Sequence, residues 1–243
     1  MEINKIHKID VLDGLRQLPD NSIDVIITSP PYNKMGLNHL KQYKTRQWHS
    51  TIDYNCDSDV DNMPEDKYQE WQLEILNECY RVLKPDGSMF YNHKDRIVVG
   101  KGEIVTPYQW LLKSPFKIRQ EIIWDRKVSP DVNVCRFLPS TEKIYWLAKS
   151  NKPAFNRKPT AQFKGEVWTI VPKKNTKHPA PFPIEIPDNI LCNIPNPNND
   201  RIVLDPFMGS GTVAVAAINN GFNYLGFELF QEYIDMANER TVV

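Results

Sequence analysis

Apolar positions along the chain fall into short β-branched runs separated by stretches with helical spacing. Ile23-Asp24-Val25-Ile26-Ile27-Thr28 is brief, rich in β-branched residues and closed by Pro30-Pro31, which predicts a buried strand. From Asp66 to Leu83, Tyr68, Trp71, Ile75, Leu76, Cys79 and Leu83 recur at the helical period. That helix should stop at the turn signal Lys84-Pro85-Asp86-Gly87 and lead into the strand Ser88–Tyr91. A second helix is expected over Thr106–Lys113, with strands over Ile118–Trp124 and Glu142–Ala148. Pro183–Cys192 predicts a helix with Pro187 in its first turn. There follow a strand over Arg201–Asp205, an Ala-rich helix from Thr212 to Asn220, a strand over Phe222–Phe227 and a last helix from Phe230 to Arg240. This alternation predicts an α/β fold, a mostly parallel, doubly wound sheet with helices on both faces.

Two stretches fit no regular element. Residues 34–64 are polar and irregular, with Lys34, Lys41, Lys44 and Arg46 in the first half and Asp53, Asp57, Asp59 and Asp61 in the second, the pattern of a functional loop. Residues 149–177 carry eight Lys or Arg against one acid, Glu166, and form a local basic patch on a chain whose formal net charge is zero.

At 243 residues the length suits one catalytic domain, 1–243, with 34–64 as a substrate loop. Hydrophobic residues at 41% and charged residues at 25% exclude global disorder. Cys56, Cys79, Cys135 and Cys192 form no C-x-x-C pair, so no metal is expected. The start MEINKIHKID has no apolar core and no window approaches a membrane span, so the expected setting is cytoplasmic, without a membrane.

Chemistry concentrates where two strands end. Asp205-Pro206-Phe207-Met208-Gly209-Ser210-Gly211-Thr212 follows one strand and opens a helix, the place where open α/β sheets bind ligands. It lacks the lysine of a phosphate-binding loop and the third glycine of a dinucleotide fingerprint. Glu228 ends the next strand, where a carboxylate can accept from ribose hydroxyls. Thr28-Ser29-Pro30-Pro31-Tyr32-Asn33 supplies a hydroxyl, a stiff backbone and an aromatic ring. Alone, each motif is no more than a tight turn.

Together they resemble DNA amino-methyltransferases. The segment 203–212, with Gly226-Phe227-Glu228-Leu229 after it, resembles the S-adenosyl-L-methionine site of that family, and Ser29-Pro30-Pro31-Tyr32 resembles its catalytic tetrad. Tetrad first and cofactor turn last resembles the circularly permuted class called beta. Further likeness runs through Asp10, Leu18–Asp24, Leu83–Gly87, Glu142–Trp146 and His178–Pro183, covering most of the chain outside 34–64 and 149–177. The resemblance implies the doubly wound methyltransferase fold, with Asp10, Asp205, Phe207, Gly209, Ser210, Gly211, Thr212, Glu228 and His178 around the cofactor. For Asp10 a capping role is the alternative reading. Ser29 Oγ and the Pro30 carbonyl would accept from the two amino protons of a base flipped out of double-stranded DNA, and Tyr32 would stack on it.

In the family, serine at the head of the tetrad is associated mainly with cytosine N4, and aspartate or asparagine mainly with adenine N6. Cytosine N4 is therefore expected, with adenine N6, an RNA base, or a non-catalytic nucleic-acid-binding module as alternatives. Residues 149–177 lie where the class places its target-recognition region, so Arg157, Lys158, Lys164, Lys173 and Lys174 are expected on DNA, with Lys34, Arg46 and Trp48 closing over the base. The shortness of that region implies a short site or a homodimer. A cognate restriction endonuclease acting on the same site is the further expected partner.

Overall fold

The computed structural model describes residues 1–33, 63–97, 102–129, 136–172 and 182–242. Along these residues run β1 (Lys5–Lys8), α1 (Val11–Arg16), β2 (Ile23–Thr28), α2 (Glu65–Val82), β3 (Leu83–His93), β4 (Arg96–Ile97), β5 (Ile104–Val105) and α3 (Tyr108–Leu111). Then come β6 (Lys117–Asp125), β7 (Thr141–Ala148), β8 (Val167–Thr169), α4 (Glu185–Leu191), β9 (Ile202–Asp205), α5 (Thr212–Asn219), β10 (Asn223–Glu228) and α6 (Gln231–Thr241).

One eight-stranded sheet has the order β1-β10-β9-β2-β3-β7-β6-β8. Neighbours are parallel except at β7, which is antiparallel to both β3 and β6. After β2 the chain moves to β3 on one side, and after β9 it moves to β10 on the other. The strand order therefore reverses between β2 and β9, which is where such sheets open a crevice at their carboxyl ends. Ser29 and Pro206 are the first residues beyond those two ends.

β2 is split between the two layers, alternating from Val25 to Ile27 after the register shift at Asp24. Val25 and Ile27 join the cluster containing Ile186 and Ile190 of α4, Val213 and Ala217 of α5, and Ile234 of α6. Ile23 and Ile26 join Leu15 of α1, Ile75 and Leu76 of α2, and Leu111 of α3. All six residues of β2 are buried, and each isoleucine buried in this way stabilises by roughly 1.5–3 kcal/mol. No described helix is long and apolar enough to cross a membrane.

Three sequence expectations change. The turn at Lys84–Gly87 does not precede β3 but lies within it as a bulge, because Ile23 and Val25 of β2 pair with Leu83 and Ser88. Asp24, between them, is buried and accepts from Lys84 Nζ with both oxygens at 2.9 Å and from the Ile202 N–H at 3.0 Å. Gly87 is required there, since a Cβ would stand 2.8 Å from the Asp24 carbonyl oxygen. The helix expected over 106–113 shortens to Tyr108–Leu111. β1, α1 and β8 were not anticipated, being short and carrying few buried apolar residues each.

The basic stretch 149–177 also divides. The Ala154 N–H donates to the Asp86 carbonyl at 2.7 Å, and the Asn156 and Lys158 N–H groups donate to the Asn193 carbonyl and side chain at 2.8 and 2.7 Å. Asp86 lies in the bulge at the start of β3, so Arg157 and Lys158 stand at the end of the sheet opposite the tetrad. Phe163 is tied to Asn189 within α4 through its N–H at 2.9 Å, and Lys164 after it is exposed. β8 then pairs with Ile123–Asp125 of β6, and Trp168 and Ile170 enter the core, so this part of the stretch is an edge strand of the sheet.

Candidate active site

The two motifs are joined by one buried contact. Thr28 Oγ1 donates to Asp205 Oδ1 at 2.7 Å, and the Phe207 N–H donates to the same oxygen at 3.0 Å. Burial pushes the Asp205 carboxyl up to about 7, against the opposing pull of these two hydrogen bonds.

The glycine turn after β9 depends on left-handed backbone, with φ of 50° at Gly209 and 81° at Gly211. A Cβ on Gly211 would lie 2.6 Å from Ala237 Cβ, so this residue also sets how closely α6 packs on the turn. The Gly209 N–H donates to Glu228 Oε2 at 2.9 Å, while Glu228 Oε1 accepts from the Leu229 and Phe230 N–H groups at 2.9 and 3.0 Å. Burial raises the Glu228 carboxyl and the three amides counter it. Behind the turn, Arg240 Nη1 donates to the Ser210 carbonyl at 2.6 Å, Ser210 Oγ at 3.0 Å and Thr212 Oγ1 at 3.3 Å. Ser210 and Thr212 are thus buried supports of the turn, and Arg240 is a site-building residue that the sequence reading missed. Phe207 is half-buried, its ring edge-on to Trp71 of α2 at 5.8 Å. Asp10 follows β1, whose Lys8 pairs with Glu228, and its Oδ1 caps α1 by accepting from the Leu12 and Asp13 N–H groups at 2.8 and 3.4 Å. The capping reading of Asp10 is therefore met.

The tetrad is held from three directions. Ser29 Oγ and Tyr32 Oη are 3.0 Å apart. Tyr32 Oη is also 3.1 Å from Asn92 Oδ1 and 3.0 Å from Glu142 Oε2, both of which can only accept. The one phenolic proton therefore points at Glu142 or Asn92, and the phenol oxygen accepts from Ser29. A serine hydroxyl so oriented presents its lone pairs to any incoming N–H. Burial and the charge of Glu142 hold the Tyr32 phenol well above its ordinary range. Tyr68 of α2 donates to the Pro31 carbonyl at 2.6 Å and accepts from Gln72 at 3.0 Å. His93 Nε2 lies 2.8 Å from the Tyr68 hydroxyl, and the His93 ring packs 4.5 Å from that of Tyr32. The Pro31 carbonyl is thereby committed, and the Pro30 carbonyl has no hydrogen-bond partner among the described residues.

Asn33, fully buried with φ of 51°, donates to the Met63 carbonyl at 3.0 Å and accepts the Met63 N–H at 2.8 Å. Glu65 beside it makes a two-pronged pair with Arg96 at 2.7 and 2.8 Å. Lys34, Arg46, Trp48, Lys173, Lys174 and His178 lie outside the described residues. Asn92, Glu142 and Tyr68 were not singled out as site residues. For Glu142 the signals were an acid at the head of the apolar run Ile144–Ala148 and the family likeness of the segment Glu142–Trp146.

A switch point with a hydroxyl on one strand end and a glycine turn plus strand-terminal carboxylate on its neighbours defines the ligand-binding site of an open α/β enzyme. The chain belongs to the N6/N4 DNA methylase family, whose model it matches over residues 23–239. It is similar to the type II methyltransferase M.BglII of Bacillus subtilis, with 29% identity across 97% of this chain and 68% of that protein. Among solved structures it shares the fold of the PvuII cytosine-N4-specific DNA methyltransferase, with a TM-score of 0.77, 21% identity and coverage of 98% and 86% of the two chains. A DNA modification methylase of Thermus thermophilus, TTHA0409, solved with S-adenosyl-L-methionine, has the same fold at a TM-score of 0.66 and 23% identity, covering 98% and 94%.

Proposed function

We propose that this DNA methyltransferase transfers a methyl group from S-adenosyl-L-methionine to the exocyclic N4 of a cytosine flipped out of double-stranded DNA. We further propose that it is the modification activity of a type II restriction-modification system, paired with an endonuclease of the same specificity. The observation that carries the reading is the placement of Ser29 Oγ 3.0 Å from a Tyr32 hydroxyl that itself reaches Glu142 Oε2 at 3.0 Å, an arrangement that leaves the serine oxygen able to accept an incoming N–H.

An exocyclic amino nitrogen is a poor nucleophile because its lone pair is delocalised into the ring. Acceptors aimed at both of its protons, Ser29 Oγ and the Pro30 carbonyl, favour a tetrahedral nitrogen and stabilise the charge that develops on it. Consecutive prolines and the Tyr68 hydrogen bond keep that pair in place without further ordering. The residues that would hold the cofactor are Glu228, the Gly209–Gly211 backbone, Phe207 and Asp10. When bound, it supplies an electrophilic methyl on a sulfonium. Juxtaposition of the two strand ends through Thr28 and Asp205 supplies proximity, and no covalent enzyme intermediate is needed. Extracting the base costs a few kcal/mol.

Both cytosine and adenine present two amino protons, so the preference for cytosine rests on serine heading the tetrad, within a family that covers both amino groups. Incubation with mixed DNA and isotopically labelled S-adenosyl-L-methionine, digestion to nucleosides and mass spectrometry tests the reading. Labelled N4-methylcytosine is expected. N6-methyladenine would move the target base, and an absence of label from both would overturn the assignment.

A further inference from the structure

We propose that Glu142 is the proton-accepting end of a hydrogen-bond chain that begins at Ser29 and passes through Tyr32, and that it receives the proton lost by the methylated amino nitrogen. This rests on the reading of the site as an amino-methyltransferase.

The two links are each 3.0 Å, from Ser29 Oγ to Tyr32 Oη and from Tyr32 Oη to Glu142 Oε2. Glu142 sits near the start of β7 and is 7% exposed, so solvent does not compete for its inner oxygen. Its other oxygen accepts from Arg126 Nη1 of the adjoining strand end at 2.6 Å, which fixes the carboxylate with Oε2 toward the phenol. Asn92 Oδ1, the second acceptor near Tyr32, is an amide oxygen whose own Nδ2 donates to the Lys143 carbonyl at 3.0 Å. It can orient the phenol but has little affinity for a proton. Of these three groups around Tyr32 Oη, Ser29, Asn92 and Glu142, it is Glu142 that can keep one.

Such a sink answers a requirement of the chemistry. As the nitrogen–methyl bond forms, the nitrogen acquires a positive charge and holds one proton too many. That proton passes to Ser29 Oγ, while the Ser29 proton passes to Tyr32 Oη and the Tyr32 proton to Glu142 Oε2. The electrons of the broken N–H bond return to nitrogen. Ser29 and Tyr32 end neutral, the product amine ends neutral, and Glu142 ends as the acid. The positive charge that entered with the methyl donor is cancelled by the carboxylate. Buried as it is, the Tyr32 phenol is a poor resting place for negative charge and serves to pass the proton on.

Glu142→Gln keeps the shape and, with its one oxygen toward Tyr32, an acceptor for the phenol, but removes the proton sink and the acceptor for Arg126. Its single-turnover methylation rate is expected to fall roughly a hundredfold, the usual scale for a lost proton-transfer partner. Equilibrium dissociation constants for S-adenosyl-L-methionine and for DNA, measured on the same protein, should stay within about threefold, which a general structural role would not allow. Tyr32→Phe should cause a loss of similar size, and the double variant should be no slower than the worse single one, because both interrupt one chain. A Glu142→Gln rate within about threefold of the parent overturns the proposal, and so do losses that multiply in the double variant. A parent protein that transfers no methyl overturns the methyltransferase reading itself, and this inference with it.

Discussion

At the scale of single residues, chemistry was legible and its partners were not. Ser29, Pro30 and Tyr32 stood out because, paired with the glycine turn, they resemble the tetrad of a known family. That Tyr32 also reaches Glu142, 110 positions beyond it, is a pairing no local pattern announces, although the segment that begins at Glu142 carries family likeness. Ser29→Ala removes an outward acceptor without touching the glycine turn. Methyl transfer should fall by about two to three orders of magnitude while S-adenosyl-L-methionine binding, measured by calorimetry, is unchanged. Asp205 gives a pH signature. Burial holds its carboxyl at about 7, above the ordinary 3.8, so the folded protein binds this proton more tightly than the unfolded chain. The stability so contributed is complete below about pH 4 and lost as pH rises through about 7. Asp205→Asn keeps an Oδ1 for Thr28 and Phe207 and removes the ionisation. In thermal unfolding the variant should match the parent near pH 4 and exceed it near pH 8 by up to roughly 4 kcal/mol.

At the scale of elements, long periodic segments announced themselves and short ones did not. α2 and β2 were expected almost as they are, because each buries a whole face or a whole run. β8 and α1 depend on neighbours: β8 is a strand because β6 offers its edge, and α1 starts where Asp10 caps it. The Lys84–Gly87 turn kept its chemistry yet was absorbed as a bulge, since Asp24 anchors Lys84 within the ladder. The α6–turn contact is the most exacting of these junctions. Gly211→Ala places a methyl against Ala237 at a left-handed φ, and the strain alone should cost about 1–3 kcal/mol, read as a lowered melting temperature. Gly211→Ala should also weaken S-adenosyl-L-methionine binding, whereas Ala216→Gly on α5, in the same layer, should not, because it leaves the turn unstrained.

At the scale of the whole molecule, charge in sequence proved a poor guide to charge in space. The basic stretch read as one patch, yet Arg157 and Lys158 are carried to the far end of the sheet by the contacts of Ala154 and Asn193. Arg157→Ser with Lys158→Ser should therefore leave DNA affinity, followed by fluorescence anisotropy at several salt concentrations, within about twofold and the salt slope unaltered; a slope reduced by about two would return them to the phosphate backbone. By itself the sequence determined the α/β class and the two strand-end motifs, because hydrophobic period and turn chemistry act over a few residues, and the resemblance of those motifs pointed to the family. Only the tertiary structure decided that Thr28 meets Asp205, that Arg240 backs the glycine turn and that Glu142 closes the Ser29–Tyr32 chain. Those contacts join residues far apart in the chain, and the sheet order that brings them together is set by packing of both faces at once.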